Sequence, residues 1–206
     1  MIRVNVTGKS YGDTPVLGPV RFDIAEGETV AVLGPSGIGK STLLRIVIGV
    51  DPKFEGTVER PDKMAIVFQE PTLMPWRSVL QNLTLVHPDL GDRAAKAMLD
   101  KVGIADKAAL FPGQLSLGQQ RRLALARAFA GNPEFLVMDE PFVSLDPKTA
   151  DTMLELTETL IADTRPATLF VTHARSEAER LSARILELRG KPASLGPHLV
   201  VAKERR

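Results

Sequence analysis

Apolar and polar residues alternate at the start of the chain: Ile2, Val4 and Val6, then Val20, Phe22 and Ile24, with Gly, Pro and Asp between the two sets. A period of two is the mark of a strand with one buried face, so this region is predicted to form short antiparallel strands. The pattern changes at Thr29. From there to Leu33 the run is continuously apolar, as in a strand buried on both faces, and glycines follow it before a helical stretch from about Lys40 to Gly49.

Three more short apolar runs, residues 64–68 (MAIVF), 135–138 (FLVM) and 167–171 (ATLFV), are separated by longer segments of helical period. Short buried strands alternating with helices predict an α/β fold, a mostly parallel sheet with helices on both sides, preceded by an N-terminal antiparallel β subdomain. Between about 71 and 130 no strand pattern stands out. Ser78–Val86, Asp92–Val102 and Ser116–Ala130 carry helical spacing instead, which predicts a helical lobe inserted into a core made by about residues 1–70 and 131–206. A further helix over 147–163 is expected to have Asp146 as its N-cap and Pro147 at its first position. After Arg189 a Gly, two Pro and the basic end Lys-Glu-Arg-Arg read as a strand end followed by a frayed terminus.

Composition narrows the classes. The 206 residues suit one domain, or one domain with a lobe inserted. Twenty-six Lys and Arg balance 25 Asp and Glu, which argues against a protein that coats nucleic acid through a general basic field. Without cysteine there is no disulfide, thiolate metal site or cysteine nucleophile. The start MIRVNVTGKS lacks a signal-peptide core, and no run approaches the roughly 18 apolar residues of a membrane span, so the chain alone is expected neither to cross a membrane nor to leave the cell by that route.

The chemistry is concentrated where strands end. Gly34-Pro35-Ser36-Gly37-Ile38-Gly39-Lys40-Ser41 fits GxxxxGK[ST], with Thr42 next on the helix. In such a loop the glycines let backbone N–H groups turn inward around an anion, the lysine reaches the β- and γ-phosphates, and the serine hydroxyl can ligate Mg²⁺. The helix that follows aims its positive end at the same phosphates. Phe135-Leu136-Val137-Met138-Asp139-Glu140 delivers two carboxylates at a strand's end, where α/β sheets place their ligands. Asp139 suits a Mg²⁺ ligand, commonly through water, and Glu140 a base that polarises water for attack on a γ-phosphate.

Further motifs resemble the ATP-binding cassette ATPases along nearly the whole chain. Leu115-Ser116-Leu117-Gly118-Gln119 is similar to that family's signature LSGGQ, Gln69 to its Q-loop glutamine, Ser144-Leu145-Asp146 to its D-loop, and His173 after ATLFV to its switch histidine. Tyr11, ahead of the phosphate loop, stands where the family places an aromatic that stacks on adenine. The resemblance implies a P-loop NTPase fold, with ATP and Mg²⁺ as cofactors. It implies hydrolysis carried by Glu140, His173 and Gln69, with Ser41, Gln69 and Asp139 on the metal. Nucleotide contacts are implied for Tyr11, the loop from Gly34 to Thr42, Gln69, Asp139, Asp146 and His173. Ser116, Gly118 and Gln119 would serve the nucleotide of a partner subunit, so the resemblance implies an ATP-dependent dimer, of two such chains or with a like subunit. Leu117 departs from the pattern by replacing the first Gly of the usual pair. Ser116 and Gln119 also fit a helix capping box, and both readings hold together.

The segment Glu70-Pro71-Thr72-Leu73-Met74-Pro75-Trp76-Arg77-Ser78-Val79 contains the only Trp. Its wording resembles the ATPase subunits of bacterial importers for nitrate, sulfonates, taurine and related small molecules. Prolines stiffen such a loop, and an exposed aromatic there makes a docking surface for a partner helix, whereas the bland reading has Trp76 packing the helical lobe. The implied partners are transmembrane permease subunits and, indirectly, a periplasmic substrate-binding protein, with this chain peripheral on the cytoplasmic face of the inner membrane and no nucleic-acid partner. The competing class is a soluble cassette ATPase acting on nucleic acid or the ribosome. Such proteins usually carry two cassettes, a coiled coil or basic insertions, and this sequence has none of these. A nucleotide-gated module without turnover is disfavoured by the presence of both Glu140 and His173.

Overall fold

The alternation at the start of the chain forms strand β1 (Ile2–Tyr11), with Ile2, Val4 and Val6 buried and Arg3 and Asn5 exposed. β1 is the hub of a four-stranded antiparallel sheet. Strand β3 (Val20–Ile24) pairs with it from Ile2 opposite Ile24 to Val6 opposite Val20, and β2 (Thr14–Leu17) folds back on Lys9–Tyr11. Along the other edge runs β5 (Glu55–Glu59), whose sequence EGTVE carries one large apolar residue and no alternation to announce a strand. Its conformation comes from the partner. Gly56 has φ 127°, and a Cβ there would lie 2.0 Å from the Asn5 carbonyl oxygen, so the two backbones approach closely enough that only glycine fits. The computed structural model describes residues 1–196 and the backbone of 199–200; the basic end at 203–206 lies outside the described residues.

The apolar runs form the second sheet. Strand β4 (Thr29–Leu33), buried at all five positions, lies between β8 (Ala167–Thr172) and β9 (Arg184–Arg189) and is parallel to both. Strand β7 (Phe135–Asp139) continues the sheet parallel to β8. Burial on both faces explains why these strands read as solid apolar runs. Helix α1 (Lys40–Val47) follows β4, and α6 (Arg175–Leu181) packs on β4 and β8. The sequence carried little sign of α6, because a helix this short buries only Ala178 and Leu181. One expectation is extended here: between Arg189 and Val200 the chain forms two further short strands, and the frayed basic end expected after them lies outside the described residues. Strands β10 (Ser194–Leu195) and β11 (Leu199–Val200) return to pair antiparallel with β9, satisfying its edge.

By internal contacts the chain divides into two compact units: Met1–Met64 with Glu134–Glu140 and the chain from Arg165 on, and Ala65–Pro133 with Pro141–Thr164. The second unit begins within β6 (Met64–Val67) and is otherwise helical, with α2 (Val79–Thr84), α3 (Asp92–Lys101), α4 (Leu117–Ala130) and α5 (Pro147–Thr164). Helices α2, α3 and α4 pack on one another, and α5 packs on α4. Capping boxes start α2, through Ser78 and Gln81, and α4, through Ser116 and Gln119. Fully buried Asn82 accepts from the Met74 N–H and donates to the carbonyls of Met74, Arg77 and Ser78, which shapes the loop that bears Trp76. Gly56→Ala is expected to lower the unfolding free energy by ~3 kcal/mol through strain and backbone clash, read as a fall in the urea midpoint.

Candidate functional site

In the first unit the loop from Gly34 to Gly39 turns between the end of β4 and the start of α1. Gly37 and Gly39 take positive φ, 75° and 116°, conformations that L side chains rarely adopt. A Cβ on Gly34 would sit 2.8 Å from the Ile38 side chain, so the tight turn also needs glycine for space. Helix α1 opens on Gly39 with no side-chain cap, leaving its first-turn N–H groups for an anion. Lys40 is 5% exposed. Its ammonium donates to the carbonyls of Gly34 (2.8 Å) and Pro35 (3.1 Å) and lies 3.2 Å from Glu140 Oε1.

Glu140 is the meeting point of this unit's candidates. Its other oxygen, Oε2, is 3.1 Å from His173 Nδ1, so the carboxylate bridges the loop lysine and the histidine that follows β8. Its backbone is left-handed, φ 45°, an uncommon state for a non-glycine residue, held in part by the bond from its N–H to the Val171 carbonyl. Asp139, just before it, ends β7 half-buried. Burial first, then the negative charge of Glu140, pushes its carboxyl above the usual range, while Lys40 and Arg45 oppose the shift. Ser41 is exposed beside the loop, with Thr42 partly so. The Thr172 hydroxyl donates to Glu177 (2.6 Å) and accepts from the Ala174 N–H, which frames His173 on both sides. Burial pushes the Glu177 carboxyl up, and the Thr172 bond and His173 draw it down. Tyr11 is exposed on the antiparallel sheet, its hydroxyl 2.9 Å from Asp51.

The remaining sequence candidates lie in the second unit. Gln69 is exposed in the bend just after β6. The Ser116 hydroxyl accepts from the Gln119 N–H, and the Gln119 side chain accepts from the Ser116 N–H, while Leu117, at the first turn of α4, is exposed. Asp146 accepts from the Thr149 N–H at the start of α5, and hydrogen bonding with Thr149 holds its carboxyl below the usual range. Sequence reasoning passed over two arginines of α4. Buried Arg121 donates to the carbonyls of Pro141 and Val143, both at 2.6 Å, and so fixes the segment leading to Ser144, itself left-handed at φ 61°. Arg127 donates to the Thr72 carbonyl and hydroxyl in the loop beyond Gln69. A charged side chain in a helix normally reads as solvated, so no local signal distinguishes these two.

The model of the family described as ABC transporter matches residues 17–143. The chain belongs to the ABC transporter family. It is 43% identical over 191 residues to the aliphatic sulfonates import ATP-binding protein SsuB 1 of Paracoccus denitrificans (strain Pd 1222), covering 91% of this chain and 79% of that one. It is 47% identical over 190 residues to SsuB 3 of Nocardia farcinica (strain IFM 10152), a protein of the same description, covering 91% and 76%. Among solved structures it resembles the ATP-binding cassette MJ0796 in a dimeric post-hydrolysis state bound to ADP and Pi, with a TM-score of 0.80, 29% identity, and coverage of 99% of this chain and all of that one. A second dimeric structure of MJ0796, a bacterial ABC transporter cassette, gives a TM-score of 0.81 at 31% identity with the same coverage. These matches support the P-loop NTPase fold implied by the ABC motifs.

A carboxyl with a raised folded pKa binds its proton more tightly in the fold than in the unfolded chain. Its stabilising effect is therefore present at low pH and lost as pH rises through the raised value, leaving an ionised Asp139 destabilising at neutral pH. Asp139→Asn is expected to raise the melting temperature of the nucleotide-free chain at pH 7 by a few degrees, with the gain shrinking toward pH 4, as thermal melts across that range would show.

Proposed function

We propose that this chain is the ATP-binding and ATP-hydrolysing subunit of an ABC importer for a small molecule of the nitrate, sulfonate or taurine class. The observation that carries the enzymatic part is the line Lys40–Glu140–His173 at the mouth of a glycine loop. Uncapped N–H groups and a buried ammonium suit a triphosphate, and the adjacent carboxylate suits a base. The Ser41 hydroxyl and the Asp139 carboxylate of the first unit are hard oxygen donors that suit Mg²⁺, an ion that takes few protein ligands beside phosphate oxygens, and the family resemblance adds the Gln69 amide. When bound, the ion would neutralise charge on the β- and γ-phosphate oxygens.

The protein's own steps follow. Lys40 exchanges its loop carbonyls for the phosphates, which frees Glu140 to accept a proton from the attacking water. His173 holds Glu140 from the other side and donates toward the γ-phosphate as charge develops. Ser116, Gly118 and Gln119 of a second copy close over the nucleotide, so the working form is an ATP-dependent dimer. Transport coupling is assigned to the surface around Trp76, 70% exposed on the loop held by Asn82. Backbone bonds from Val79 to Leu110 and from Leu80 to Ala108 bring the segment ending at exposed Phe111 alongside the start of α2. No helix among the described residues is long and apolar enough to cross a membrane. In this reading the chain works beside permease subunits, peripherally on the cytoplasmic face, in keeping with its likeness to import ATP-binding proteins.

Glu140→Gln keeps the shape of the side chain and removes the base. It is expected to retain ATP binding, accumulate as a dimer with ATP, and lose phosphate release by at least about a hundredfold. Light scattering and a phosphate assay test both arms; turnover at the parent rate would remove Glu140 as the base.

A further inference from the structure

Lys9 is a lysine that the hydrolytic reading leaves unused, and it is buried, its side chain 3% exposed. A buried ammonium must be answered by polar partners. Its Nζ lies 2.8 Å from Asp51 Oδ1 and 2.7 Å from Oδ2, and 2.6 Å from the Lys53 carbonyl oxygen. The same ammonium lies 4.5 Å from the centroid of the Tyr11 ring. Asp51 completes the circle, because the Tyr11 hydroxyl donates to its Oδ2 at 2.9 Å and the Lys53 N–H donates to its Oδ1. Hydrogen bonding to Lys9, ahead of the bond from Tyr11, holds the Asp51 carboxyl below its usual range and keeps it ionised.

These contacts constrain the ring in two ways. The hydroxyl tether fixes the tilt of an otherwise exposed ring at the end of β1. The cation under one face takes that face as a cation–π partner, so only the opposite face is open to a stacking base. We propose that Lys9 and Asp51 are positioning residues that preorganise Tyr11 as a one-sided platform for the base of the nucleotide. This rests on the reading of Tyr11 as the residue that stacks on adenine. Neither Lys9 nor Asp51 touches the phosphates in this scheme, so their effect falls on nucleotide affinity and leaves the chemical step alone.

The test compares KM and kcat for ATP in Tyr11→Ala, Tyr11→Phe, Asp51→Ala and the Tyr11→Phe/Asp51→Ala double variant. Inhibition by inorganic tripolyphosphate, which has no base, reports on the phosphate loop. Tyr11→Ala should raise KM by about tenfold or more, the scale of a lost base stack. Tyr11→Phe keeps the ring and loses only the tether; it and Asp51→Ala should each raise KM about threefold to tenfold with kcat unchanged, the scale of one hydrogen bond. The double variant should be no worse than Asp51→Ala alone, and tripolyphosphate inhibition should stay at the parent value throughout. If Tyr11→Ala raises KM while Tyr11→Phe stays at the parent value, the stacking reading stands and the positioning role is overturned. If Tyr11→Ala leaves KM unchanged, the stacking reading fails and takes the inference with it. Should Asp51→Ala fold poorly because Lys9 is left unpaired, Tyr11→Phe alone still decides.

Discussion

The buried ammonium of Lys40 is the constraint on which the rest of the site depends. A cation held 5% exposed has to be met by oxygen, and in this fold the oxygens come from the Gly34 and Pro35 carbonyls and from Glu140. That demand sets the geometry on both sides. It shapes a loop whose glycines alone permit the turn, and it draws the carboxylate at the end of β7 toward the start of α1. A triphosphate satisfies the same ammonium with more charge than two carbonyls, so the contacts that stabilise the nucleotide-free loop are also those that a substrate can replace.

The parallel sheet makes this meeting possible. Because β4, β7 and β8 run parallel, their carboxyl ends lie at one edge, and the loop lysine, Glu140 and His173 each follow one of them. Glu140 then takes a left-handed backbone, a strained state for a non-glycine residue. Strain of that kind persists where the surroundings over-determine it, and here the Val171 carbonyl, Lys40 and His173 all hold the residue in place. Asp139 shows the other face of the same arrangement. A carboxyl half-buried beside another carboxyl lowers the stability of the chain while equipping it to meet a cation.

How legible these features are in the sequence follows from where their causes lie. The phosphate loop, the two acids after the apolar run, and the buried strands are local patterns, since burial on both faces and tight turns leave their mark on consecutive residues. Strand β5, with one large apolar residue, and helix α6, with two buried positions, leave almost none; their conformation is imposed by β1 and by the parallel sheet. The polar tethers are equally hidden. Lys9, Asn82, Arg121 and Arg127 are residue types that usually face water, and each owes its role to a group brought near by folding: Asp51 for Lys9, the Trp76 loop for Asn82, the carbonyls before Ser144 for Arg121, and Thr72 for Arg127. Leu117 was visible as a departure from the family pattern, and the structure adds that its side chain stands exposed at the opening of α4.

The two units of the chain carry complementary halves of the proposed chemistry. One holds the phosphate loop with Glu140 and His173, and the other offers the Ser116 cap, proposed above to serve a nucleotide bound by a second copy. Turnover should therefore be a property of pairs. The most direct measurement is steady-state phosphate release by the purified chain with Mg²⁺ and saturating ATP over a wide range of chain concentration. Release per chain should climb with concentration and then level off as dimers fill; release per chain that is the same at every concentration would contradict a shared site.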